Sequence, residues 1–87
     1  MSKTIMTKTA LITDSIWDTL HVFNEFGDRL LYCIPKDANL DFMGQLPLIH
    51  QFLVSNGFTH VLDCVCIDEG EDAVQEPIEA WYTRVSN

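Results

Sequence analysis

The chain has 87 residues, 47% hydrophobic and 21% charged, the proportions of one folded domain rather than of a disordered chain. Thirteen Asp plus Glu against five Lys plus Arg leave a net charge of −8. That balance opposes direct binding to nucleic acid or anionic lipid, which calls for clustered Lys and Arg.

No apolar run approaches the ~20 residues of a membrane-spanning helix. Thr7, Lys8 and Thr9 interrupt the apolar stretch near the start, so no secretory signal is expected. Three cysteines are an odd and sparse set, which predicts a reduced, cytoplasmic chain without a disulfide framework. No repeat or Pro/Gly-rich linker divides the sequence. Residues 1–87 therefore read as one α+β domain, with 1–8 frayed unless they join a sheet edge.

The first expected element is a β-hairpin over residues 17–34, with an extra N-terminal strand conceivable across 5–12. Trp17, Thr19, His21 and Phe23 alternate with Asp18, Leu20, Val22 and Asn24, and these residue types favour strand. Gly27 supplies the positive φ that a short hairpin loop demands. Leu30 to Ile34 form the return strand, which Pro35 ends. A competing reading makes Asp14 the cap of a helix over 15–26, with Gly27 just past its end.

Next comes the main helix. Pro47 is tolerated best in a first turn, which sets the expected start near Leu46. Leu46, Ile49 and Leu53 form the apolar stripe, and Asn56-Gly57 is a stop signal. A strand is expected over 58–67, then an acidic loop over 68–76, then Pro77 and a last strand, Ile78–Val85. The predicted fold is a small antiparallel sheet with one main helix, in the order β-β-α-β-β.

The 58–67 strand is apolar on both faces. One helix covers one face of a sheet, so a homodimer or a hydrophobic partner surface is expected on the other.

Charge supplies the candidate site. Seven carboxylates, Asp63, Asp68, Glu69, Glu71, Asp72, Glu76 and Glu79, fall in one short span, and no Lys or Arg interrupts it. Together with Trp81 they form the expected partner-binding set. Such a block projects negative potential over about a Debye length, ~8 Å at physiological salt. It reads either as a solvated loop or as a docking surface for a basic protein.

Other chemistry fits poorly. Cys64 and Cys66 with Cys33 and His60 lack the turn spacing of a structural zinc site, so buried free cysteine is expected and no metal. The 68–79 span has the length of a calcium loop, but Gly70 and Ala73 stand where the third ligand and the turn glycine belong. His21, His50 and His60 pair with no nucleophile in the spacing, and no phosphate loop is present. No cofactor and no catalytic residue are expected.

The composition points to a non-enzymatic inhibitor docking on a basic, nucleic-acid-binding target such as a nuclease. It would act as a nucleic-acid mimic of a phage or other mobile element, or as an immunity protein or antitoxin. The alternative is a small dimeric ligand-binding or scaffold protein that uses an apolar sheet face.

Overall fold

The structure is a computed structural model that describes residues 6–14, 19–65 and 73–86. In chain order it forms β1 (Thr9–Asp14), β2 (Leu20–Phe23), β3 (Leu30–Cys33), a 3-10 turn at Lys36–Ala38, α1 (Phe42–Ser55), β4 (His60–Asp63), β5 (Gln75–Pro77) and α2 (Ile78–Val85). The strands make one mixed sheet in the order β3-β2-β1-β4-β5. The α+β class stands, but the sheet is mixed rather than antiparallel because β1 and β4 run parallel. A third strand precedes the main helix, Gln75–Pro77 is a short strand where loop was expected, and a helix replaces the last strand.

Alternation places the core. Ala10 and Ile12 of β1 are buried beside Val22 of β2 and Val61 of β4, while Leu11, Thr13, Phe23 and Leu62 lie half-buried on the other face. The N-terminal strand expected over 5–12 is β1, starting at Thr9 and running to Asp14 at the centre of the sheet. It pairs antiparallel with β2 and parallel with β4.

The hairpin is formed by β2 and β3, so residues 20–23 are strand where the competing reading placed helix; residues 15–18 lie outside the described residues. Its loop closes on Asn24, whose Oδ1 accepts the amides of Asp28 and Arg29. Gly27 adopts φ +75° there, as the turn requires. Trp17 and Asp18, where the strand was expected to begin, lie outside the described residues.

Helix α1 begins four residues earlier than the proline suggested. Asp41 caps it by accepting the Gly44 amide at 2.8 Å. Pro47 sits in the second turn, and the bond it cannot donate belongs to Met43. Both residues are exposed, so water can serve that carbonyl and the usual penalty of an internal proline is reduced. Leu46, Ile49 and Leu53 are buried as the spacing predicts, and Gly57 at φ +77° follows the end.

Strand β4 is shorter than the expected 58–67. Phe58 packs into the core before the strand starts, and the chain bends at Cys64 and Val65 after Asp63. Cys66 and Ile67 lie outside the described residues.

The expected strand Ile78–Val85 is α2. Ile78, Trp81 and Val85 are its buried residues, and their i, i+3, i+7 spacing forms one helical stripe that alternation would have split between two faces. Pro77 precedes the first turn, where no amide is missed. Helices α1 and α2 touch each other, and their buried side chains join one core. They cover one face of the sheet together.

Gln45 is the polar member of that core. Only 1% exposed, it accepts the Leu20 amide at 2.8 Å and donates to the Leu40 carbonyl at 3.0 Å. It thereby ties α1 to the start of β2. Gln45→Leu leaves the buried Leu20 amide without its acceptor and is expected to cost about 1–3 kcal/mol. Urea unfolding checks this, against a change within about 0.5 kcal/mol for the exposed Gln51→Leu.

Candidate functional site

The eight residues expected to meet a partner divide sharply in the structure. Asp68, Glu69, Glu71 and Asp72 lie outside the described residues. Asp63 and Trp81 are 3% and 1% exposed and belong to the core, not to a surface. Trp81 Nε1 donates to Asp63 Oδ2 at 2.7 Å, and the Val65 amide donates to Asp63 Oδ1 at 2.8 Å.

Arg84 completes this cluster from the last turn of α2. Its Nη2 lies 3.6 Å from Asp63 Oδ2 and 2.7 Å from Glu76 Oε1, and its Nε donates to Glu76 Oε2 at 3.1 Å. Glu76 is thus half-buried and held by a fork-shaped contact. Glu79 is the one described member that stands in solvent, its side chain 76% exposed, and it meets His50 Nε2 at 3.0 Å. His50 in turn stacks on Tyr82 with ring centroids 4.3 Å apart.

A sequence signal for the Asp63 role exists. Asp63 shares the inward face of its strand with Val61, so alternation alone puts the carboxylate in the core. A buried carboxylate then requires donors, and Trp81 and Arg84 stand three apart, on one side of a helix.

The sheet topology defines the acidic surface instead. Strands β1, β3 and β4 run in one direction and β2 and β5 in the other. The ends of β1, β3 and β4 and the starts of β2 and β5 therefore share one edge of the sheet. Asp14, Asp37 and Asp41 are exposed there. Val65 and Ala73, which flank the segment carrying Asp68, Glu69, Glu71 and Asp72, lie at the same edge.

A cleft of about 480 Å³ opens at this edge, lined among others by Asp14, Thr19, Lys36, Asp41 and Val65. Two cations lie nearby. Arg84 is engaged by Asp63 and Glu76, and Lys36 is one charge beside three exposed aspartates. Lys8 and Arg29 sit at the opposite edge, beside the hairpin loop and the end of α1. Asp14, Asp37 and Asp41 were outside the expected set because they are scattered in sequence and meet only through strand polarity.

The metal candidates are held apart. Cys33 is on β3 and His60 on β4, with β2 and β1 between them. Among the described residues no three His, Cys, Asp or Glu side chains gather as a metal site. His60 Nδ1 lies 2.8 Å from Thr59 Oγ1, and that hydroxyl also contacts the Lys8 backbone, a local brace for the start of β1. Cys64 is exposed, yet partial shielding from water, followed by the charge of Asp63, pushes its thiol above the ordinary range.

Comparison with protein-family models, curated proteins and solved structures finds no match.

Two outcomes test this geometry. Trp81→Phe keeps most of the ring but removes one bond to a charged acceptor, with an expected loss of about 1.5–3 kcal/mol in urea unfolding. The Cys64 thiol should alkylate with a pH midpoint above that of the same chain in denaturant, read by mass spectrometry in a Cys66→Ser background. Because the folded state holds the proton more tightly, this thiol's contribution to stability is present below the ordinary thiol range and is lost as pH rises through it.

Proposed function

We propose that the protein is a non-enzymatic binding module that docks its acidic edge on a basic surface of another protein. The carrying observation is the gathering of carboxylates by strand direction. Exposed Asp14, Asp37 and Asp41 and the flanks of the acidic segment share one edge with Lys36, while at the other edge Lys8 and Arg29 are balanced by Glu25 and Asp28. A field with one negative pole orients a basic partner during encounter and favours rapid association.

The concrete form is an inhibitor that occupies the nucleic-acid groove of its target, such as a nuclease, with carboxylates in place of phosphates. Carboxylates two apart on an extended chain lie about 6.5–7 Å apart, close to the interval between successive phosphates of a strand. An immunity protein or antitoxin bound to a basic toxin uses the same physics. The buried Asp63 cluster supports the reading indirectly, since it anchors the chain on both sides of the acidic segment through Val65 and Glu76.

Binding to a panel of purified basic nucleases and DNA-binding proteins is the test, measured at rising salt. Asp14→Lys with Asp37→Lys should weaken the partner's affinity at least tenfold and flatten its salt dependence. Glu25→Lys with Asp28→Lys, an equal change in charge at the other edge, should alter it less than threefold. Equal losses, or no partner in the panel, would remove the docking reading.

A second reading rests on the face of the sheet opposite α1 and α2. Leu11, Phe23 and Leu62 lie there half-buried, and a homodimer through that face would cover them. Sedimentation should then show a dimer that Leu62→Arg converts to monomer, and a wild-type monomer at all concentrations would exclude it.

A further inference from the structure

The edge opposite the acidic one carries a second cleft, of about 540 Å³, between the hairpin loop, the start of β1 and the end of α1. Its lining includes Leu31, Phe52 and Phe58, with Phe26 at the hairpin tip. Phe26 is 81% exposed, a large apolar ring left in water where the loop needs no side chain for its own closure. Asn24 and the glycine turn accomplish that closure.

Cations stand on the rim of this apolar floor. Lys8 Nζ donates to the Asn56 carbonyl at 2.7 Å and lies 4.3 Å from the Phe58 ring centroid. One of its three protons is used and the ammonium is fixed at the wall of the cleft. Arg29 lines the same cleft, and among the described residues its guanidinium has no ion pair. Glu25 is the single carboxylate in the lining, so the cleft is net cationic in a chain of net charge −8.

We propose that this cleft binds an aliphatic carboxylate, with the alkyl chain over Leu31, Phe52 and Phe26 and the carboxylate between Lys8 and Arg29. The aliphatic class follows from how the rings are already used. Phe52 stacks on Tyr32 with centroids 4.7 Å apart, and Lys8 occupies a face of Phe58. A flat aromatic ligand would compete for those faces, whereas an alkyl chain packs against ring edges. Burial of its methylenes supplies the driving force, and the guanidinium fork matches the carboxylate head. The site lies at the other end of the strands from the acidic edge and stands independently of the docking reading.

Titration of the isotope-labelled protein with octanoate, 1-octanol and octylammonium tests it by amide chemical shifts. Octanoate should give saturable shifts confined to residues 8–9, 24–31 and 52–58 and bind at least tenfold more tightly than octylammonium. Arg29→Gln should lower octanoate affinity at least fivefold and leave 1-octanol unchanged. Phe26→Ser, at an exposed position that leaves the fold intact, should weaken both. Equal affinity for octanoate and octylammonium, or shifts that never saturate or fall elsewhere, would overturn the assignment.

Discussion

The structure depends on satisfying one buried carboxylate. Asp63 ends the strand that pairs with the centre of the sheet, and a charge at that depth is stable only when donors surround it. Trp81 and Arg84 bring those donors from α2, and Val65 brings one from the chain just beyond. The same interaction therefore docks the C-terminal helix, fixes the exit of β4 and holds the strand that follows through Glu76. The apolar stripe of Ile78, Trp81 and Val85 turns one face of α2 to the sheet, and the directed bond from the Trp81 indole to Asp63 fixes where along the sheet that face sits.

Gln45 plays the matching role on the other half of the sheet. It presents an acceptor to β2 and a donor to the turn before α1, so each helix carries polar groups that register it on the strands. Nonpolar packing alone tolerates small shifts of a helix along a sheet, whereas two buried hydrogen-bonded groups do not. Asp41 at the start of α1 is held at the acidic edge by that registration, while Asp14 and Asp37 reach it through β1 and β3.

Much of this was legible in the sequence where periodicity is unambiguous. The Leu46, Ile49 and Leu53 stripe, the Gly27 turn and the alternation of β2 all read directly. The last element did not, because Trp81, Tyr82 and Thr83 favour strand by type, and only the i, i+3, i+7 placement of Ile78, Trp81 and Val85 reveals the helix. Pro47 misled the helix start because propensity weighs the missing amide without knowing that Met43 faces water. The run of acids obscured a division of labour: Asp63 and Glu76 hold the fold together, while Glu79 stands in water. The exposed aspartates that gather at one edge are far apart in the chain, and only the direction of the strands brings them together.

The central position of β1 has a consequence for how the chain is made. Its parallel neighbour begins 51 residues later, as the Lys8–Thr59 contact at the start of the two strands shows. The hairpin can zip onto one side of β1 as soon as it is synthesised, but the other side stays open until the whole of α1 and β4 has left the ribosome. Closure of so long a loop is the slow step expected for such a topology. Until then the nascent chain carries a half-finished sheet with an unpaired inner strand, and because most of the carboxylate surplus follows β4 in the sequence, that state has little net charge to keep copies of itself apart.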